Sequence, residues 1–157
     1  LSLYVENDLR LDKYFAETDE KGFRKNKKAG SNNYLCTFRV GEIYLTAAEA
    51  AARLGELSQA RTRLLELMRK RYAPEAYEAK SVVVNAMDKE ALVQEILDER
   101  ARELAFEGHR WFDLRRSTRP RLEKVLDGTR YVLEENDARY TLAIPKEAIE
   151  ANPGLLN

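Results

Sequence analysis

The segment Glu99–Arg116, ERARELAFEGHRWFDLRR, gathers most of the residues whose types and spacing bear on chemistry. Arg100, Glu103, Glu107 and Arg110 stand three, four and three residues apart. On one continuous helix that spacing puts them on a single stripe, in the order plus, minus, minus, plus. Exposed, each neighbouring pair is worth ~0.2–0.5 kcal/mol. Partly buried, the set fixes geometry, and losing one partner costs ~3–5 kcal/mol. Three sharper uses compete with this structural one. Glu103 and Glu107 have the residue types of a glycosidase acid/base pair, which needs two carboxyl groups ~5–9.5 Å apart. The arginines beside them oppose it, because a nearby cation lowers a carboxyl pKa and disfavours proton donation. His109 with Glu107 or Asp113 offers metal ligands, but one histidine among scattered carboxylates, with no HExxH pattern, makes a poor site. Trp111 offers a flat face for a sugar or base, yet Phe112 and Leu114 beside it point to core. The sequence has no nucleophile elbow, Gly-rich phosphate loop or dinucleotide fingerprint. The residues alone assign no catalytic, metal, cofactor or ligand-binding site.

These side chains need helices to position them. Asp88 is a good N-cap and Glu90 suits a helix N-terminus, so a helix is expected over Lys89–Arg116. Leu92, Val93, Ile96, Leu97, Ala101, Leu104, Ala105, Gly108, Trp111 and Phe112 lie along its apolar side. Gly108 inside it costs ~1 kcal/mol relative to Ala, which close approach of another backbone would explain. An earlier helix begins near Arg39, with Ile43, Tyr44, Ala47, Ala48, Ala51 and Leu54 at helical spacing, and Gly55 ends it. A second runs over Leu57–Tyr72, buries Ala60, Leu64, Leu65, Leu67 and Met68, and stops at Pro74. Tyr44, Ala48, Gly55, Ala60 and Leu64 occupy the bulky, small, turn, small and bulky positions of a tetratricopeptide-like hairpin, in which alanine lets the helices approach closely. Residues 73–87 read as a loop. A short helix is expected from Pro120 to Leu126, ended by Gly128. Tyr131–Leu133 and Tyr140–Ile144 read as a small β-hairpin, and Lys146–Ile149 as a last helical turn started by Pro145. The expected fold class is all-α, a helical hairpin plus a further long helix, with a small β-hairpin near the C-terminus.

The 157 residues make one domain's worth of chain. A hydrophobic content of 44% excludes a disordered chain. Basic and acidic residues balance at 27 each, which argues against a general nucleic-acid or membrane-surface protein. The cluster Lys21, Arg24, Lys25, Lys27 and Lys28 has only Phe23 among it and reads as a solvated loop, not a phosphate site. Cys36 is the only cysteine, so no intrachain disulfide or cysteine metal site is expected. No apolar run approaches the ~20 residues that span a bilayer, and no signal-peptide pattern opens the sequence.

Three blocks carry a resemblance. The first is Arg39-x-x-Glu42-x-x-Leu45-x-x-Ala48-Glu49-Ala50, followed by Gly55, Ala60, Leu64 and Arg69-x-Arg71. The second is Glu99-Arg100-x-x-Glu103-Leu104-x-x-Glu107-Gly108-x-Arg110-x-x-Asp113-Leu114-x-Arg116. The third is Ile144-Pro145-x-x-x-Ile149-x-x-Asn152-Pro153 with Asn157, and Asp8-x-Arg10 fits at the start. In this order they resemble the C-terminal part of the SusD/RagB family of outer-membrane nutrient-binding lipoproteins, so that residues 1–157 would be a helical piece of a larger protein. The resemblance implies a glycan-binding, or peptide-binding, component on the outer face of the outer membrane. It would be held there by lipid on an N-terminal cysteine outside this chain, and Cys36 does not replace that residue. It would act with a SusC-like TonB-dependent transporter, with no catalysis, no cofactor, no metal and no nucleic-acid partner. The alternative is a tetratricopeptide-like protein–protein scaffold with no sugar ligand. None of the three blocks is a ligand motif, so the ligand contacts stay unassigned. The matched residues read as structural, and apolar surface is expected where further helices would dock.

Overall fold

A computed structural model describes residues 3–28, 39–152 and 154. Cys36, Pro153 and Asn157 lie outside the described residues. Among the described residues the chain is mostly helical, with two small antiparallel hairpins. It divides into two units, residues 1–110 and 111–157.

The first unit is built on a helical hairpin, α2 (Val40–Leu54) and α3 (Leu57–Met68). Gly55 takes φ +86°, and the Gly55 and Glu56 amides donate to Ala52 and Ala51. That left-handed cap ends α2 and turns the chain within two residues. Ala48, Ala52, Ala60 and Leu64 are fully buried where the helices meet, as the alanine spacing implies. Leu45, Met68, Leu92 and Ile96 complete the core, with α5 (Lys89–Glu103) packed on the pair. Asp88 caps α5 by accepting from the Ala91 amide at 2.9 Å. The chain enters through α1 (Arg10–Tyr14) and the hairpin β1 (Phe15–Thr18)–β2 (Arg24–Asn26), so part of the expected basic loop is strand. Backbone bonds from the Leu9 amide to Arg71 and from the Ala73 amide to Asn7 tie this segment to the end of α3.

Several expectations are corrected here. Residues 74–86 form α4 (Pro74–Ala86) and not a loop. Pro74 starts this helix, since at the first position its missing N–H costs nothing. The second helix of the hairpin ends at Met68, four residues early, and the chain turns through Tyr72. The helix expected over Lys89–Arg116 is two. It breaks after Glu103, and Phe106 (φ +67°) and Gly108 (φ +82°) redirect the chain into α6 (His109–Arg116). Gly108 is therefore a turn glycine, and a Cβ there would meet nothing within 4 Å. Close approach belongs instead to Gly41, where a Cβ would sit 2.7 Å from Glu103 Oε1.

The second unit carries the hairpin β3 (Leu122–Leu126)–β4 (Thr129–Leu133). Leu122–Leu126 is thus strand and not helix. Asp127 (φ +48°) and Gly128 (φ +76°) form its two-residue turn, the Asp-Gly pairing that suits the twist of a hairpin. Tyr140–Ile144, expected as the second strand of the hairpin, is not strand, since Ala138–Tyr140 form a 3-10 turn and Leu122–Leu126 pairs with Thr129–Leu133 instead, and α7 spans Lys146–Ala151 after Pro145. Tyr140 is fully buried, stacks on Trp111 at 5.2 Å, and its hydroxyl donates to the Pro120 carbonyl.

Candidate functional site

The end of α5 is the centre of a buried charge network. The Asp8, Glu99 and Glu103 side chains are 0% exposed and Arg10 is 3% exposed. Arg10 uses all five of its N–H donors. Nε and Nη2 donate to Asp8 at 2.9 Å each, Nη1 to Glu99 at 2.7 Å and Glu103 at 3.3 Å, and Nη2 also to the Tyr72 hydroxyl at 2.8 Å. The Tyr72 hydroxyl in turn donates to Glu99 Oε2 at 2.9 Å, as does Arg102 Nε at 2.8 Å. Glu103 is filled on both oxygens. Arg71 donates to it from Nε at 2.7 Å and Nη2 at 2.8 Å, Arg39 from Nη2 at 3.2 Å, and Arg10 from Nη1. Arg39 Nη1 reaches on to Glu107 at 2.5 Å, and Lys28 pairs with the same oxygen. Arg102 Nη2 closes the other side on Glu95 at 2.6 Å.

Every charge meets an opposite one. Asp8, Glu95, Glu99, Glu103 and Glu107 face Lys28, Arg10, Arg39, Arg71 and Arg102, and Lys80 lies 3.8 Å from Glu95. Buried charge is tolerated only when it is paired and hydrogen-bonded in this way. Burial opposes the charge on Glu99, but Arg10 and Arg102 outweigh it and hold the carboxyl below the usual carboxylate range. Burial also opposes the charge on Arg10, and Glu99 and Asp8 more than restore it. Burial pushes the Tyr4 hydroxyl up to about 12 and Tyr72 further in the same direction. Lys28 donates to the carbonyls of Glu103 at 2.5 Å and Ala105 at 3.1 Å, placing a cation at the negative end of α5.

Gly41 makes room for this carboxylate. Glu103 is held by three arginines and cannot swing aside, so Gly41→Ala is expected to destabilise the protein by ~1–3 kcal/mol, the usual cost of overpacking. Chemical denaturation of the variant checks it.

The four residues expected on one stripe are not one network. Arg100 bonds Thr46 at 3.2 Å and lies 4.0 Å from Glu42. Glu103 and Glu107 share Arg39 across the break in the helix, and Arg110 takes no part in the cluster. A carboxylate filled by three guanidinium groups and shut from solvent has no route to a glycosidic oxygen, so the pair forms no acid/base cleft. His109 lies 3.6 Å from Glu42, and the described residues hold no group of three metal-ligating side chains. Trp111 is half-buried and its face is occupied by Tyr140, while Phe112, expected on the apolar side, is 62% exposed. Of the basic cluster, Lys28 joins the network. The reading of residues 99–116 missed Asp8, Arg10, Arg39, Arg71 and Arg102 as partners, though four of the five stand in the quoted motifs. On the outer side of α2 lies a groove of about 430 Å³, lined by Arg39, Glu42, Ile43, Thr46, Ala47 and Ala50. No helix among the described residues is long and apolar enough to cross a membrane.

The comparisons with known proteins agree with this construction. A family profile described as "SusD family" matches residues 6–157. SusD-like protein P38 of Formosa agariphila is 31% identical over 115 residues, which cover 73% of this chain and 22% of that relative. The chain thus spans about a fifth of the length of the curated relative it matches. The profile takes in every element from α1 to α7 and the whole charge network, and on that ground the chain belongs to the SusD family.

Proposed function

We propose that this chain is the C-terminal helical scaffold of a nutrient-binding component that captures oligosaccharides at the outer face of the outer membrane. In this reading the full-length protein is lipid-anchored there, passes its ligand to a SusC-like TonB-dependent transporter, and performs no catalysis. The observation that carries the reading is the family match across residues 6–157. The buried network supports it, because the acidic side chains that a hydrolase would need are spent on holding α5 to the segment before α2. The tetratricopeptide-like hairpin α2–α3 braces a capture surface and supplies none of its ligand contacts.

The test is binding of a polysaccharide panel by the full-length protein, measured by affinity electrophoresis beside residues 1–157 alone. Retardation by at least one polysaccharide class is expected for the full-length protein, with little or none for the shorter chain. Failure of the full-length protein on every class would defeat the sugar-binding reading and leave the protein–protein scaffold. Release of reducing ends from a bound glycan would defeat the non-catalytic part.

A further inference from the structure

The β3–β4 hairpin has one covered edge and one open edge. In a hairpin with a two-residue turn, the pair beside the turn exchanges both backbone bonds, and every second pair repeats this. Leu126–Thr129, Lys124–Tyr131 and Leu122–Leu133 therefore bond across the sheet, while Glu123, Val125, Arg130 and Val132 turn their N–H and C=O groups outward. The Val132 carbonyl agrees with this register, since it accepts from Arg139 Nη2 at 3.0 Å. Asp137 holds the same guanidinium, accepting from Nε at 2.9 Å and Nη2 at 2.6 Å, so Arg139 lies across the edge of β4. The edge of β3 has no such cover. There the outward groups of Glu123 and Val125 have no partner among the described residues.

Open backbone groups on an edge strand are a template for a further strand, and a two-stranded hairpin is marginal without one or a packed face. Val125 (63% exposed), Leu126 and Tyr131 (57%) leave the turn end of this hairpin uncovered. The charges on β3 select what can join it. Glu123 is already paired, with Arg121 at 3.0 Å and Arg130 at 2.6 Å. Lys124 is exposed and pairs with no carboxylate among the described residues. It shares its face of the strand with Leu122 and Leu126.

We propose that the outer edge of β3 accepts an extended segment of a partner protein as a third, antiparallel strand, with an acidic side chain beside Lys124 and apolar side chains two residues to either side of it. Backbone bonds to Glu123 and Val125 supply the affinity, and the contacts with Lys124, Leu122 and Leu126 supply the selectivity. A second copy of this chain fits less well. Antiparallel pairing of two β3 strands about their centre sets Lys124 beside its own counterpart, and like charges directly opposite are destabilising. Sliding the strands to avoid this shortens the ladder.

The experiment uses the full-length protein and a capped synthetic peptide, Ser-Val-Thr-Glu-Thr-Val-Ser, with fluorescence anisotropy for binding and amide hydrogen exchange for its location. Binding is expected to slow exchange at Glu123 and Val125 ~10-fold or more, with little change at Lys124, whose amide already bonds across the hairpin. Lys124→Glu is expected to weaken binding ~5-fold or more, and a peptide with Lys in place of Glu should bind that variant better than the parent. Val125→Pro removes an outward N–H and no bond of the hairpin, so binding is expected to be lost with the ladder intact. Should Val125→Pro not fold, the charge exchange at Lys124 decides alone. Absence of binding would overturn the proposal, and so would equal affinity of both peptides for both proteins. Protection of the Glu123 and Val125 amides before peptide is added would overturn it too, since the edge would then be occupied within the protein or by a second copy. Glycan binding enters none of these outcomes, so the functional reading and this one fail separately.

Discussion

Glu103→Ala is expected to lower the stability of the protein by ~3–5 kcal/mol, the cost of breaking a buried ion pair by removing one partner. The carboxylate takes bonds from Arg10, Arg39 and Arg71. Without it Arg71 loses its carboxylate partner and Arg10 and Arg39 each lose one of theirs, so three cations face a space with no counter-charge. Glu103→Gln keeps the shape and should cost nearly as much. An amide offers one acceptor oxygen, and it turns an NH2 group toward donors. A double-mutant cycle isolates the steric part. Gly41→Ala is unfavourable only because its methyl meets Glu103 Oε1, so it should become close to neutral in a Glu103→Ala background. Urea denaturation of the four proteins measures this, and strictly additive effects would show that Gly41 and Glu103 do not share the space.

Arg10→Met should be as costly at neutral pH, ~3–5 kcal/mol, because Asp8, Glu99 and Glu103 lose the cation between them. Its signature is the pH dependence. In the native protein Glu99 is held below its unfolded value, which is ~4.3. Such a group stabilises the fold at pH above the unfolded value, and that stability is lost as pH falls through the lower folded value. In Arg10→Met the foremost cationic partner is gone, while burial, the largest influence on Glu99, still opposes its charge. Arg102 still pairs with Glu99, so the folded carboxyl titrates higher than in the native protein, and the variant loses less stability than the native protein as pH falls. The deficit of the variant should therefore shrink from pH 7 toward pH 4.5. Urea midpoints across that range decide it, and a deficit that stays constant with pH would show that Glu99 is not governed by Arg10.

The α2–α3 hairpin was legible because alanines at helical spacing and a glycine at the turn leave few alternatives. Helix α4 was not, because Val84 is its only buried residue, so no apolar stripe at helical spacing marks a segment that reads as a loop. The break after Glu103 was hidden for the opposite reason. The apolar spacing continues through residues 104–112, and only the left-handed torsions at Phe106 and Gly108 end the helix. Gly128 read as the end of a helix, whereas with Asp127 it forms the turn of a hairpin. The charge network lay beyond any spacing rule, since the partners of Glu103 come from positions 10, 39 and 71. Those positions did stand in the quoted motifs, so the family resemblance marked the participants and only the structure showed the pairing.

The Arg10–Glu99 bond joins residues 89 positions apart in sequence. The α2–α3 turn, by contrast, closes over two residues and needs no distant partner. Forming the long connection means closing a loop that contains the entire helical hairpin, an entropic cost that must be met before Arg10 reaches Glu99 and Glu103. The expected order of assembly is therefore the helical hairpin first, with the segment that carries Asp8 and Arg10 clasping α5 afterwards.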